Sequence, residues 1–192
     1  WEKDFIKSGN IINEIVPVGI VERDDKVKKA LIDVSFTTLE GHNLKRCFLL
    51  GKSSVVIIPV LKCIDDNQFY TIMVKQRRII HGNYTLEFPA GEVSSDKDVL
   101  RSAIIECQEE INIKLKRIDM VSLNENPVWV SPAYTYDPVY FFYFEKSIDF
   151  NYLKKYDSIK TGDNNSGEFI TTKVIELKDV KNILTSSAII GI

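Results

Sequence analysis

Apolar residues recur at two different spacings along the chain, and each spacing predicts a different kind of element. Runs rich in Val, Ile and aromatic residues, bounded by polar turns, predict strands. The predicted strands are residues 11–18, 29–37, 45–50, 53–62, 69–75, 84–88, 117–129, 139–145 and 168–177. A helical spacing of four and three residues instead relates Leu100, Ile104, Cys107 and Ile111. This spacing predicts a helix over residues 97–112, capped by Ser95 or Asp96.

Strands at both ends of the chain around one long helix predict an α+β fold, a sandwich with a mixed sheet. Residues 156–167 are polar and rich in Asn and Gly, so a mobile loop is predicted there, and a short final helix is predicted from Lys178 onward. A length of 192 residues suits one domain with a small N-terminal addition. We place the boundary after residue 50, giving a β-rich subdomain of residues 1–50 and a main domain of residues 51–192.

Composition and charge narrow the range of partners. The formal net charge is -2, which provides no basic field for nucleic acid and no polybasic signal for a membrane. The apolar runs are too short to span a bilayer. Three widely spaced cysteines, no Cys-x-x-Cys pair and only two histidines predict a reduced, cytoplasmic protein without a zinc site.

Three glutamates lie on one side of the predicted helix. At about 100° per residue, Glu110 lies roughly 40° from Glu106, and Glu109 lies roughly 60° to the other side. Convergent carboxylates suit hard divalent cations, which prefer oxygen ligands. A solvated helix face, or a cluster offset by nearby Lys and Arg, would give the same pattern. The Pro-Ala-Gly turn at residues 89–91 favours the metal, because its carbonyls can add ligands and Gly91 admits a close approach.

Two motifs in this region resemble those of the Nudix hydrolases, and within them the ADP-ribose pyrophosphatases. Residues 91–113 follow the spacing of the Nudix box, Gly-x5-Glu-x7-Arg-Glu-hydrophobic-x-Glu-Glu-x-Gly-hydrophobic, without a gap. Residues 74–78 read Val-Lys-Gln-Arg-Arg and residues 87–91 read Glu-Phe-Pro-Ala-Gly, as in the ADP-ribose group. The resemblance covers residues 50–190 and implies a Nudix-type α/β/α sandwich with a mixed sheet.

The box departs from the family pattern at three positions. Lys97 replaces the first Glu, Ile105 replaces the Arg, and Asn112 replaces the late Gly. In the family, the first Glu and the Arg mainly orient the catalytic helix, and losing both leaves neither charge without its partner. Asn112 tolerates left-handed backbone geometry at a helix end. Asp96 and Arg101 are candidate substitutes for the lost acid and guanidinium.

The resemblance also implies a set of site residues. The metal ligands would be the Ala90 carbonyl with Glu106, Glu109 and Glu110, and Mg²⁺ or Mn²⁺ would be the cofactor. The substrate-binding candidates are Arg78, Glu87 and Gly91. Arg78 matches the family arginine that contacts phosphate, whereas Arg77 lies on the opposite strand face. Glu87 would be a ribose or metal-shell contact, or a residue that caps the turn.

A general base often lies on a loop downstream of the box in this family. The candidates here are Glu168 and Asp137, each with a structural role as the alternative. Trp129, Tyr134 and Tyr136 would stack on a nucleobase, or pack in the core or a loop. Trp1 and Phe5 would belong to an N-terminal dimerisation arm, so a homodimer is expected.

The implied function is metal-dependent hydrolysis of the diphosphate bond of a nucleoside diphosphate sugar, chiefly ADP-ribose to AMP and ribose 5-phosphate. UDP-glucose or another nucleoside diphosphate derivative is the alternative substrate. The alternative from another class is a degenerate Nudix domain that binds a nucleotide or a protein partner without hydrolysing it. Lys97 and Ile105 motivate that alternative, and the retained glutamates at positions 106, 109 and 110 oppose it.

Overall fold

The computed structural model describes residues 1–23, 25–79, 82–94, 98–162 and 168–183. The strands are β1 Ile11–Arg23, β2 Lys26–Thr37, β3 Asn43–Leu50, β4 Ser54–Cys63, β5 Phe69–Arg78, β6 Asn83–Glu87, β7 Ala90–Glu92, β8 Val121–Ser122, β9 Val128–Trp129, β10 Thr135–Tyr136, β11 Pro138–Ile148, β12 Lys160–Thr161 and β13 Ile170–Glu176. The helices are α1 Glu2–Lys7, α2 Val99–Ile111 and α3 Phe150–Lys154, with 3-10 helices at Arg117–Asp119 and Leu177–Asn182.

The chain separates into two compact units. The first consists of Trp1–Ser53 and Trp129–Pro138, and the second of Ser54–Val128 and Val139–Ile192. The segment Trp129–Pro138 therefore belongs with the N-terminal residues, although it follows most of the second unit in the chain. The hydrophobic pattern carries no signal for this return.

Within the described residues, the first unit is a four-stranded sheet in the order β1-β2-β3-β10. Aromatic rings pack α1 onto it, because Trp1 and Phe48 have ring centroids 5.2 Å apart and Phe5 and Phe36 have centroids 5.1 Å apart. The sequence predicted the first three strands with shorter bounds but missed α1. A six-residue helix is less than two turns long and gives little periodicity to detect.

The second unit is built on a mixed sheet whose main path runs β12-β13-β5-β4-β11-β8. The central pair, β4 and β11, is parallel, while β4–β5 and β5–β13 are antiparallel. Alternate residues of β4 face opposite sides, with Val55 and Ile57 in the cluster that includes α2 and Val56 and Ile58 in the cluster that includes Val180. Both faces are therefore covered, which accounts for the continuous apolar run of β4.

Helix α2 lies against the first of these clusters, with Cys107 and Ile111 fully buried. Its N-cap is Asp98, whose carboxylate accepts the Arg101 N–H at 2.7 Å. The predicted caps were wrong, and Ser95 and Asp96 lie outside the described residues, as does Lys97. The helix ends at Asn112, which has φ of 55° and thus takes the left-handed conformation expected of it.

The strand predicted over residues 117–129 was wrong. A 3-10 turn at Arg117–Asp119 comes first, and only the two-residue strands β8 and β9 follow. The side-chain oxygen of Asn124 accepts the Phe141 N–H at 3.0 Å, where a continuous strand would offer a backbone carbonyl. Pro127 has no N–H to donate to a sheet. Local side-chain bonding has replaced the regular ladder.

The last part of the described chain differs from the prediction in a smaller way. The polar stretch predicted as a loop over residues 156–167 contains β12, which pairs with the start of β13, and its residues 163–167 lie outside the described residues. A 3-10 helix at Leu177–Asn182 stands where a short final helix was predicted. In the part of the chain that the structure describes, no helix is both long and apolar enough to cross a membrane.

The Asp98 cap yields a stability prediction. Asp98→Ala removes the acceptor of the Arg101 N–H, so we expect the melting temperature to fall by about 2–4 °C. Asp98→Asn is the matched variant, because Asn keeps a capping oxygen while losing the 2.8 Å ion pair with Arg117. Since this ion pair is exposed, Asp98→Asn should melt close to the parent. Equal losses in the two variants, measured by thermal unfolding, would show that the ion pair matters and the cap does not.

Candidate functional site

The Glu106 carboxylate lies directly against the backbone of Gly91. A Cβ atom built on Gly91 would meet Cδ and Oε1 of Glu106 at 2.1 Å. Gly91 belongs to β7, which pairs with the buried strand β4 opposite Val55. Because β4 fixes the backbone of β7, any larger residue at position 91 would displace the Glu106 carboxylate. The glycine is needed for the close approach of Glu106, whereas the close approach of a ligand expected from the sequence stays a prediction.

The second carboxylate of the helix is bound to the same turn. Glu110 is 5% exposed, and its Oε2 accepts the Ala90 N–H at 2.8 Å. Burial raises the pKa of Glu110 to about 8, while the Ala90 N–H acts in the opposite direction. The charges of Glu106 and Glu168 also contribute to this rise, and the charge of Arg78 opposes it. The carboxyl therefore lies in a negatively charged environment that would favour a bound cation.

The third glutamate of the helix has a different environment, since Glu109 is exposed. Backbone groups at this end of α2 contact the segment that leads into β13. The Thr161 hydroxyl donates to the Glu110 carbonyl at 2.5 Å, and the Gly162 N–H donates to the Glu109 carbonyl at 3.4 Å. The sequence analysis missed Thr161 and Gly162, and neither belongs to a motif that would have identified it.

Arg78 and Glu87 form a two-pronged ion pair beside these carboxylates. Nε and Nη2 of Arg78 donate to the two Glu87 oxygens at 2.9 Å and 2.6 Å. The Glu87 side chain is 4% exposed and that of Arg78 is 45% exposed, so the guanidinium reaches from a buried partner to the surface. The Thr85 hydroxyl also contacts Glu87. The bond to Glu87 raises the pKa of Arg78, which stays charged.

Thr85 was missed by the sequence analysis, although a signal for it exists. It lies two residues before Glu87 in β6, and residues two apart in a strand share a face. Thr85 is opposite Gln76 and Glu87 is opposite Val74, so both extend the face of β5 that carries Arg78. The motif identified Arg78 and Glu87, but it does not specify the residue at position 85, which lies between them in the sequence.

Of the remaining candidates, Asp96 lies outside the described residues, and most of the others belong to the first unit. Asp137 belongs to the first unit, where its carboxylate accepts the Thr135 hydroxyl. Trp129 and Tyr136, in the same unit, pack with ring centroids 4.8 Å apart, and Tyr134 is 71% exposed. Trp1 and Phe5 belong to the aromatic cluster around α1. Arg101 is exposed and Ile105 half-buried.

The oxygen atoms at the turn are of the chemical type that a divalent metal binds. Glu106 and Glu110 offer carboxylate oxygens, the ligands that Mg²⁺ and Mn²⁺ prefer. The Glu106 carboxylate lies so close to Gly91 that a methyl group there would overlap it, so the glycine is what leaves room for this carboxylate at the turn. Over the described ranges, no three His, Cys, Asp or Glu side chains converge on one point. Two carboxylates with phosphate and water oxygens are nevertheless a common Mg²⁺ environment.

The fold has a counterpart of known structure. It is similar to the crystal structure of an ADP compounds hydrolase, with a TM-score of 0.60 over 90% of this chain and 81% of that chain. At 14% sequence identity, this match shows the fold alone. It confirms the predicted α+β fold of the Nudix type.

A sequence match to one known protein supports the family resemblance. The chain is 30% identical over 135 residues to Nudix hydrolase 14, chloroplastic, of Arabidopsis thaliana. The match covers 66% of this chain and 43% of that protein, so the chain spans less than half of its relative's length. No protein-family profile matches. This sequence match supports the Nudix resemblance seen in the motifs, and the structural match supports the fold.

The contact between Gly91 and Glu106 yields a binding prediction. Gly91→Ala should displace the Glu106 carboxylate, because the new methyl group would occupy its place, and should weaken Mn²⁺ binding by about tenfold or more. Paramagnetic resonance of free Mn²⁺ measures this affinity. Gly19→Ala is the matched control, since a Cβ there meets nothing within 4 Å. Equal Mn²⁺ affinity in Gly91→Ala and the parent would contradict a role for Glu106 at the metal.

The Arg78–Glu87 pair yields a second prediction, on stability. Arg78→Ala leaves the buried Glu87 carboxylate without its guanidinium, so the free energy of unfolding should fall by about 1–3 kcal/mol. Adding Glu87→Gln to that variant should restore part of the loss, because an amide carries no charge to bury. Urea unfolding of the parent, the single variant and the double variant tests this. A double variant less stable than Arg78→Ala would contradict the explanation.

Proposed function

We propose that this chain hydrolyses the diphosphate bond of a nucleoside diphosphate derivative in a metal-dependent reaction, with ADP-ribose giving AMP and ribose 5-phosphate as the leading case. The observation that carries the proposal is the convergence of Glu106 and Glu110 on the turn at Ala90 and Gly91. One carboxylate lies against the Gly91 backbone and the other accepts the Ala90 N–H. The names of the two matched proteins, a Nudix hydrolase and an ADP compounds hydrolase, support the same chemistry.

In this proposal Glu106 and Glu110, with the Ala90 carbonyl, hold Mg²⁺ or Mn²⁺, and Glu109 adds a further ligand from the exposed side. A bound divalent cation would supply positive charge to the diphosphate and lower the pKa of a bound water. The Ala90 N–H holds the Glu110 carboxylate at the turn, and Gly91 leaves room there for the Glu106 carboxylate, before any ligand arrives. This preorganisation reduces the cost of ordering them when the substrate binds.

Arg78 is proposed to meet the substrate phosphate. Its Nε and Nη2 face Glu87, so Nη1 on the half-exposed guanidinium is the nitrogen that would reach a phosphate oxygen. Glu87 then acts through Arg78, because its two oxygens fix the plane of the guanidinium. This assigns Glu87 a positioning role instead of the ribose contact, metal-shell contact or turn cap considered from the sequence.

Glu168 is proposed as the general base. Its backbone lies against Gly162, whose N–H donates to the Glu109 carbonyl, and its negative charge contributes to the raised pKa of Glu110. Asp137 is the weaker candidate, since its carboxylate already accepts the Thr135 hydroxyl in the first unit. A base beside Glu110 would take its proton from a water held between the carboxylates.

A second candidate function is nucleotide or partner binding without hydrolysis. Lys97 and Ile105 remove the pair that orients the catalytic helix in the family, and the described residues show no side-chain cluster that would hold a metal unaided. Within the enzyme class, UDP-glucose or another nucleoside diphosphate derivative is the alternative substrate. Residence in the cytoplasm stays a prediction.

A homodimer also remains part of the proposal. The hairpin of β1 and β2 carries apolar side chains that are at least half exposed within this single chain: Ile11, Val18, Ile20, Val21 and Val27. An apolar surface of this kind is typical of an interface between subunits. A second copy of the chain is the proposed cover, as expected from the resemblance.

A substrate panel tests the function directly, with alkaline phosphatase added to release inorganic phosphate from the phosphomonoester products. We expect turnover of ADP-ribose with Mg²⁺ or Mn²⁺, and less or none of UDP-glucose, diadenosine polyphosphates and NADH. Glu110→Gln should remove most of the turnover, because it replaces a proposed metal ligand with a weaker one, while Glu125→Gln, on an exposed residue outside the site, should not. Equal turnover in Glu110→Gln and the parent at saturating Mg²⁺ would refute the metal assignment. If the parent hydrolysed none of the substrates, the alternative function, nucleotide or partner binding without hydrolysis, would be favoured.

A further inference from the structure

The segment formed by Thr161 and Gly162 is hydrogen-bonded to the C-terminal end of α2. The last carbonyls of a helix have no partner within the helix. Here the Thr161 hydroxyl donates to the carbonyl of Glu110 at 2.5 Å, and the Gly162 N–H donates to that of Glu109 at 3.4 Å. The two bonds therefore satisfy open groups of the residues that carry the proposed metal ligands.

The same segment also fixes the backbone of Glu168. Gly162 has φ of +87°, and a Cβ there would lie 2.7 Å from the Glu168 carbonyl oxygen. On the other side, Thr161 pairs with Ile170, which is 2% exposed and belongs to the core beside α2. Glu168 thus lies between a close contact with Gly162 and a buried anchor two residues later.

We propose that Thr161 is a positioning residue, whose hydroxyl holds Thr161 and Gly162 against the end of α2 and thereby fixes the backbone of Glu168 relative to Glu110. The inference rests on the proposed function, in which Glu168 is the general base. Glu110 is the common point, since its carbonyl accepts from Thr161 and its carboxylate accepts from Ala90. Displacing the segment by a fraction of an ångström would move the base away from the water that it activates.

The first test compares steady-state kinetics of four proteins. Thr161→Val removes the hydroxyl at nearly constant volume, and Thr161→Ser keeps it. Thr71→Val is the matched control, because Thr71 is fully buried in the same sheet and its hydroxyl has no partner. We expect Thr161→Val to lower kcat by about tenfold with KM nearly unchanged, and Thr161→Ser to restore kcat. Thr71→Val should match the parent. Equal kcat in Thr161→Val and the parent would overturn the proposal.

A double-mutant cycle with Glu168→Gln separates positioning from general support of the fold. If Thr161 acts through Glu168, then Thr161→Val should cost little further kcat once Glu168 is already Gln. The same fold-loss in both backgrounds would overturn the proposal. Thr161→Ala serves as the second variant if Thr161→Val does not fold.

Amide hydrogen exchange tests the contact without any turnover. Thr161→Val should speed exchange of the Gly162 amide and of residues 168–170 relative to Thr71→Val, because the segment loses its bond to α2. Unchanged exchange would overturn the inference whatever the activity. Suppose instead that Thr161→Val accelerates exchange but the parent hydrolyses none of the panel substrates. This result would count against the proposed function and would support only the attachment of Thr161 and Gly162 to α2.

Discussion

The candidate site depends on one buried hydrogen bond, from the Ala90 N–H to the Glu110 carboxylate. Burying a carboxylate is costly unless a donor compensates for it, and this backbone N–H is the donor that the turn supplies. The bond ties α2 to the turn between β6 and β7, both of which pair with strands of the core sheet. Gly91 then lets Glu106 approach the same turn. The positions of both carboxylates follow from these two contacts.

The charges around this bond account for the chemistry that we propose. The negative charges of Glu106 and Glu168 both raise the pKa of Glu110, and the positive charge of Arg78 lowers it. Arg78 is itself paired with the buried Glu87, so little of its charge is left to balance the other carboxylates. Such a site favours a divalent cation first, and an anionic diphosphate only after that cation is bound. Metal and substrate binding are therefore expected to depend on one another.

The sequence predicted the parts of the fold that strong periodicity or a contiguous motif defines. The stripe of Cys107 and Ile111 located the helix, and the Glu-x-x-Glu-Glu spacing located its carboxylates. The cap at Asp98 was missed because Ser95 and Asp96 are equally good capping residues in sequence terms, and only the contact with Arg101 decides among them. The failed strand over residues 117–129 reflects local bonding by side chains such as Asn124.

Residues that act through tertiary contacts could not be predicted from the sequence. Thr161 and Gly162 lie some fifty residues from Glu109 and Glu110 along the chain, and no spacing rule relates them. Their role depends on the pairing of β12 with β13, which brings the segment to the end of α2. Thr85 is the intermediate case, because strand alternation places it on the face of Glu87 while only the fold shows the contact.

The most direct test of this account is anomalous diffraction from a crystal grown with Mn²⁺ and a non-hydrolysable ADP-ribose analogue. The account predicts a manganese peak at direct-coordination distance from the carboxylates of Glu106 and Glu110, with the diphosphate completing the coordination. A bound analogue without manganese at these two carboxylates, or manganese elsewhere in the chain, would contradict it.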